Sequence, residues 1–255
     1  MEVLVLGSGG TAPSIFRACT SFLVDRAVLV DVGPGSVTNM RRFGVSTRDI
    51  EAVLITHMHG DHLFDLPALL WAMAADGRKE TLRVFGPKGV EQALGFLMAG
   101  PLADAFMPKN FVTFPIETRE LNPMDSFSIG SHLVMVGRGD HPVQDLPYRI
   151  SDGSRTVTFS GDTGPSDAVS NLAEGSDLLV HESTFLRGEE ELARSTGHST
   201  ALEAGQVASK ARVKMLLLNH LPARLAGKEE SARSEASQAG VRSLVAYDGL
   251  SLHVE

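Results

Sequence analysis

Ala52-Val53-Leu54-Ile55-Thr56-His57-Met58-His59-Gly60-Asp61-His62 is an apolar run that ends in three imidazoles and a carboxylate. A short β-branched run of this kind reads as a buried strand that delivers metal ligands at its carboxyl end. His57 and His59 are two residues apart and project from the same side of an extended chain. Gly60 lets the backbone turn tightly, so that Asp61 and His62 face a second position nearby. One cation would leave some of these four donors unused. Borderline-soft ions such as zinc favour imidazole nitrogen with carboxylate oxygen, and a catalytic site keeps one position open. The remaining ligands must come from elsewhere in the chain. His141 in Gly139-Asp140-His141-Pro142, Asp162 in Ser160-Gly161-Asp162-Thr163 and His220 in Leu218-Asn219-His220 are the candidates; the last two also end apolar runs, and all three sit beside turn-forming residues.

Length and composition bound the rest. A chain of 255 residues, 43% hydrophobic and 21% charged, can bury a substantial core, and nothing in its middle looks like a linker, so one domain over 1–255 is expected. No apolar stretch is long enough to span a bilayer, and the chain opens on the strand-like Val3-Leu4-Val5-Leu6 without a basic segment. One cysteine, Cys19, fits a reducing compartment and reads as packing. A cytoplasmic protein with no membrane partner is expected. The formal net charge of -8 disfavours broad capture of nucleic acid.

Strand signals fall at Glu2 to Leu6, Ser21 to Val24, Val28 to Val32 and from Ala52, with a helix near Val37 to Phe43. Asp31, at the end of one of these strands, is either a loop acceptor or a site residue. The Gly7 to Pro13 loop lacks a dinucleotide fingerprint and reads as a tight turn on the site's rim. One helix is expected from Leu63 to Ala75, with Trp71 in the core, then strand Thr81 to Phe85 and helix Val90 to Met98. From Gly100 to Pro123 prolines break the pattern, which marks connecting structure, a substrate-facing loop or a dimer contact. Strands follow within Phe127 to Val136, at Tyr148 to Ile150 and at Thr156 to Ser160, the last two joined by an Asp152-Gly153 turn. The helix Asp167 to Leu172, the strand Leu178 to Val180, the helix Thr200 to Lys210, the strand 213 to 218, a polar helix from Lys228 to Gln238 and two closing strands complete the chain. Strands alternating with helices in two halves suggest two packed sheets with helices outside, a pattern a doubly wound sheet shares. Arg149 reads either as an anion contact or as a partner for an acid, and Lys210, Arg212 and Lys214 as a solvated helix end.

The sequence resembles the metallo-β-lactamase superfamily and, within it, the ribonuclease Z-like branch. The histidine cluster carries the superfamily. His181-Glu182-Ser183-Thr184-Phe185 with Gly197-His198-Ser199-Thr200 carries the branch, and Gly7 to Pro13, Phe85 to Gly89, Asn219-His220 and Asp248-Gly249 extend the match along nearly the whole chain. The resemblance implies an α/β four-layer αβ/βα sandwich, two mixed sheets with helices outside, and a homodimer. It implies two Zn2+ ions (Mn2+ or Fe2+ being alternatives), one held by His57, His59 and His141, the other by Asp61, His62 and His220, with Asp162 bridging. Asp31 would support the ligand loop without binding metal. Such a pair can share a water, lower its pKa towards neutrality and present hydroxide to a phosphodiester.

In that branch the residue matching His198 contacts the scissile phosphate and the one matching Glu182 orients it. Asp61, Glu182 and His198 are therefore the candidate catalytic residues, and His181 a supporting one. The expected substrate is a small or cyclic phosphodiester or an RNA 3′ end. At one place the sequence departs from its relatives. They carry a long glycine- and proline-rich arm that grips the tRNA elbow, whereas only 20 residues separate His141 from Asp162 here. The alternatives are a lactonase, arylsulfatase or other esterase on the same dimetal site, for which Tyr148 and Tyr247 are the available tyrosines, and a non-catalytic scaffold.

Overall fold

A computed structural model describes residues 1–100, 108 and 110–254. The first sheet is built from β1 (Glu2–Gly7), β2 (Ser21–Val24), β3 (Val28–Val30), β4 (Ala52–Leu54), β5 (Leu82–Gly86), β6 (Ile116–Glu120) and β14 (Ser251–His253), in the order β14-β1-β2-β3-β4-β5-β6. The second holds β7 (Ser126–Ile129), β8 (His132–Val136), β9 (Tyr148–Ser151), β10 (Thr156–Phe159), β11 (Leu178–Glu182), β12 (Met215–Asn219) and β13 (Ser243–Val245), in the order β13-β12-β11-β10-β9-β8-β7. Both are mixed: β3 to β6 run parallel in one and β10 to β13 in the other, with antiparallel pairs completing each sheet.

Three apolar layers explain the stacking. Between the sheets, Val3, Phe22 and Leu54 of the first meet Val134, Phe159 and Leu178 of the second. On the outer face of the first sheet, Leu29, Val53 and Val84 pack with residues of α1 (Ser36–Arg42), α3 (Leu66–Ala75) and α4 (Val90–Ala99). On the outer face of the second, Leu179 and Leu216 pack with α5 (Asp167–Leu172), α7 (Ala201–Lys210) and α8 (Glu229–Ser237). Buried on both faces, β4 and β11 read as continuous apolar runs, as parallel strands do. The result is the αβ/βα sandwich. α7 and α8 press so closely that a Cβ on Gly205 would lie 2.3 Å from the Ala236 carbonyl oxygen.

Several expectations are corrected. The single helix from Leu63 is two, α2 (Gly60–Leu63) and α3, separated at Phe64-Asp65. The Asp65 carboxylate faces away, accepting from the Gly35 and Val37 amides, which ties the break to α1. Trp71 is not core: it is 40% exposed and its ring lies 4.4 Å from that of Phe111. Part of the Gly100 to Pro123 stretch, residues 101–107 and 109, lies outside the described residues, and the remainder includes the strand β6. A further helix, α6 (Glu190–Thr196), precedes the Gly197-His198 turn. Arg149 does neither thing expected of it. Its guanidinium donates to the Leu172 and Glu174 carbonyls and the Ser176 hydroxyl, closing the end of α5. Lys210, Arg212 and Lys214 pair with Asp167, Glu174 and Asp177, so the compact basic cluster is neutralised.

No helix among the described residues is long and apolar enough to cross a membrane. The carboxyl ends of β4, β10, β11 and β12 open on one edge of the sandwich, the position where open parallel sheets bind ligands.

Candidate metal centre

Seven donors converge at that edge. His57 and His59 follow β4; Asp61 and His62 lie in α2; His141 lies between β8 and β9; Asp162 follows β10 and His220 follows β12. They form two groups, His57, His59, His141 and Asp162, then Asp61, His62, Asp162 and His220; within each, the ligating atoms lie within 4.8 Å of one another. Asp162 belongs to both. Its Oδ2 is 3.6 Å from His57 Nε2 and 3.3 Å from His220 Nε2, and its Oδ1 is 3.4 Å from His62 Nε2. Asp61 Oδ2 lies 3.2 Å from His220 Nε2. His59 Nδ1 is 3.0 Å from His57 Nε2 and 3.3 Å from His141 Nε2.

The backbone is bent to bring them there. Gly33 packs on α2 so tightly that a Cβ would lie 2.0 Å from the Asp61 carbonyl oxygen. His220 and Asp31 take φ of 60° and 58°, the left-handed region that costs a side-chain-bearing residue about 1–2 kcal/mol. Strain of this kind collects at functional sites.

His62, His141 and His220 each have one nitrogen held from behind, which leaves the other for the centre. His62 Nδ1 is 2.7 Å from Asp31 Oδ2, His141 Nδ1 donates to the Gly197 carbonyl at 2.9 Å, and His220 Nδ1 is 2.9 Å from Thr184 Oγ1. Backing of this kind fixes tautomer and orientation at metal sites. At the centre, buried His62 Nε2 and Asp162 Oδ1 have no hydrogen-bond partner among the described residues. Buried polar atoms left without a partner are costly. A divalent cation satisfies both, and the nitrogen and oxygen donor set fits zinc and similar ions. The residues present therefore fit the group.

The charges are strongly coupled. Burial and the neighbouring His62 imidazole hold His57 well below the ordinary histidine value. Burial also opposes charge on His62, but the Asp162 and Asp31 carboxylates outweigh it and hold the ring well above that value. Asp61 and Asp162 are desolvated, yet the imidazoles of His220 and His62 keep both below the usual carboxylate range.

Beside the centre, Glu182 ends β11 with its side chain buried. Its Oε1 accepts from the amides of Thr163 and Ser199 and lies 2.8 Å from His198 Nδ1; its Oε2 accepts from the Thr184 amide and hydroxyl. The same carboxylate thus backs His198 directly and His220 through Thr184. Burial works against a charged His198, but the hydrogen bond and charge of Glu182, with Asp162 and Asp61 behind it, raise the ring to about 9. With Nδ1 engaged, Nε2 is the nitrogen left for a ligand. The cavity of about 570 Å³ above the centre is lined by Thr11, Ala12, Pro13, Phe64, Asp61 and His198 among others, so the glycine-rich loop after β1 does form its rim.

Sequence reading missed Asp145, Thr56 and Thr184. Asp145 is buried with Oδ1 3.2 Å from His57 Nδ1. Burial, with the charges of Asp162 and Asp31, pushes its carboxyl well above the usual range. Its only signal was an acid four residues after His141 in the same loop. His181 is buried with Nδ1 on the Glu182 carbonyl. Tyr148 is fully buried and its hydroxyl donates to the Ile55 carbonyl, and Tyr247 is outside the residues lining the cavity above the centre.

The fold and the clustered donors define a metallohydrolase of the β-lactamase superfamily, and a family model described as the beta-lactamase superfamily domain matches residues 26–221. Ribonuclease Z of Bacillus subtilis (strain 168) is 30% identical over 311 aligned positions, which cover 100% of this chain and 99% of that protein. Ribonuclease Z of Halobacterium salinarum (strain ATCC 29341) is 32% identical, covering 98% and 96%. Among solved structures, the metallo-beta-lactamase fold protein YhfI of Bacillus subtilis superimposes with a TM-score of 0.83 at 26% identity over 98% of both chains. Human short-form tRNase Z gives 0.84 at 23% identity over 100% of both, a likeness of fold. The chain belongs to the ribonuclease Z-like branch of that superfamily, a branch of metal-dependent hydrolases.

Proposed function

We propose that the chain is a single-domain phosphodiesterase working on a pair of divalent ions, zinc in the first instance, with a small or cyclic phosphodiester or an RNA 3′ end as substrate. The observation that carries this reading is the pairing of half-buried His198 with buried Glu182, 2.8 Å apart, set beside two donor groups that share Asp162. His57, His59 and His141 would hold one ion and Asp61, His62 and His220 the other, with Asp162 common to both. Bound ions supply Lewis acidity and an activated water at neutral pH.

The chain's own residues do the rest. His198, held charged by Glu182, presents its Nε2 proton towards the mouth, where a departing alkoxide takes it. Glu182 keeps the imidazole in that orientation through the whole cycle, because three backbone amides and the Thr184 hydroxyl anchor its carboxylate. Asp61 would help to hold an ion on the side of the mouth, whose rim includes Ala12, Pro13 and Phe64. Acting on RNA follows from the similarity to ribonucleases Z. Acting on small diesters is favoured by the stretch from His141 to Asp162, which the β9–β10 hairpin occupies with no arm. The lactonase reading loses its tyrosine, since the Tyr148 hydroxyl is spent inside the core. Cytoplasmic residence and a homodimer belong to the same proposal.

The test is a panel of bis-p-nitrophenyl phosphate, cyclic nucleotides and a tRNA precursor, run beside a lactone and an aryl sulfate, with zinc or manganese added. Turnover of a phosphodiester above the other esters is expected, with loss of roughly 100-fold or more in kcat for H198A. A metal-replete protein inert on every phosphodiester would overturn the reading.

A further inference from the structure

Asp145 is a side chain that packing alone does not justify. Its carboxyl group is fully buried, and Oδ2 has no hydrogen-bond partner among the described residues. An apolar residue of similar size would fill the space without that cost. The chain makes room for the acid instead. A Cβ on Gly161, at φ 60°, would lie 2.2 Å from Asp145 Oδ1, and one on Gly139 would lie 2.4 Å from Oδ2. The Leu146 amide donates to the Thr56 carbonyl at 2.9 Å, which locks the Asp145 segment against the residue preceding His57.

What surrounds His57 Nδ1 decides the role. Its polar neighbours are Thr56 Oγ1 at 3.1 Å and Asp145 Oδ1 at 3.2 Å. The Thr56 hydroxyl has one proton, and it is given to Asp31 Oδ2 at 2.9 Å, so towards His57 this oxygen only accepts. Two acceptors flanking one ring nitrogen place the proton on Nδ1, and Nε2 then carries its lone pair towards His59 and Asp162. Asp145 Oδ1 also accepts from the Asp162 amide at 3.2 Å. One oxygen therefore touches two donors of the centre that come from different sheets.

We infer that Asp145 is a positioning residue: it fixes His57 as the Nδ1–H tautomer and, through the Asp162 amide, sets the spacing of those two ligands. This rests on the metal-site reading above. Second-layer partners of metal ligands commonly change affinity by roughly 10- to 100-fold when removed.

The experiment uses the full chain. Zinc is titrated against a chromogenic chelator for wild type, D145N, D145S and the control H57A, and long-range 1H–15N spectra of the metal-free wild type and D145N report the His57 tautomer. Wild type is expected to take up two equivalents and to show a protonated Nδ1. D145N, whose amide can donate to Nδ1, is expected to populate the Nε2–H form and to lose roughly 10- to 100-fold in affinity for one equivalent. An Nε2–H tautomer in the wild type overturns the proposal, as does wild-type affinity for both equivalents in D145N or D145S. The wild-type spectrum decides even where neither variant folds. A wild type that takes up no zinc removes the metal reading instead, an outcome distinct from one in which wild type binds and the variants match it.

Discussion

Glu182 shows what a single buried carboxylate does when every lone pair is committed. Held by backbone amides on both oxygens, it cannot turn, so the imidazole of His198 cannot turn either. The raised value of about 9 has a definite sign: the stability the ion pair contributes is fully present below the ordinary histidine range and is lost as pH rises through about 9. In the metal-free protein, proton NMR should find His198 charged across the neutral range, and E182Q should bring its midpoint down by two units or more; a His198 midpoint near 6.5 in the wild type removes the acid role assigned to it. Cys19 gives a second check on burial. Its thiol is pushed up to about 12 by desolvation and the Asp61 charge, so it should resist a thiol reagent at pH 8 until the chain unfolds. The donors were legible in the sequence because residue type and strand end carry the chemistry. Asp145, Thr56 and Thr184 were not, since a residue that backs a ligand is defined only by the fold that brings it there.

At the scale of elements, legibility followed burial. β1 and β2 read cleanly as short apolar runs between turn signals, and the β7–β8 hairpin by its alternation of buried and exposed positions. β6 did not, because Ile116 to Glu120 has one large apolar residue and sits at a sheet edge, where pairing with β5 rather than its own pattern makes it a strand. α6 was missed for a related reason: only Ala193 of its seven residues is buried, so no apolar stripe announces it. α7 was announced by its cap. Thr200 Oγ1 accepts from the Glu203 amide while the Glu203 carboxylate accepts from the Thr200 amide, a complete capping box two residues after His198. T200A should destabilise the metal-free protein by about 1 kcal/mol in urea unfolding, the usual cost of losing such a cap. Because the Glu182 network does not pass through Thr200, kcat per folded molecule should stay within a few-fold of wild type; a collapse of kcat at unchanged stability would show that the cap, not Glu182, aligns His198.

For the whole molecule, the division of labour between the two sheets decides how the site and the fold are linked. His57, His59, Asp61 and His62 hang from the first sheet, while His141, Asp162 and His220 hang from the second, and the apolar layer between the sheets, with the polar ties through Asp145 and Leu146, sets their distance. The unfolded chain scatters these donors over more than 160 positions, so ions that bind the assembled centre bind the folded state almost alone. They would also offset the charge of the buried acids Asp31, Asp162 and Glu182 that the metal-free fold must carry. Free ion at about 100 times Kd should therefore add about 2.7 kcal/mol for each independent site. That is worth roughly 5–10 °C in Tm for a chain of this size. Calorimetry of chelator-stripped protein against zinc-loaded protein should show this rise, larger for wild type than for H57A or H220A, which each remove one donor from one sheet. D162N, which touches both donor groups, should lose most of it. An unchanged Tm at saturating zinc would mean that the ions do not join the two halves, and the sharing of Asp162 between them would have to be given up.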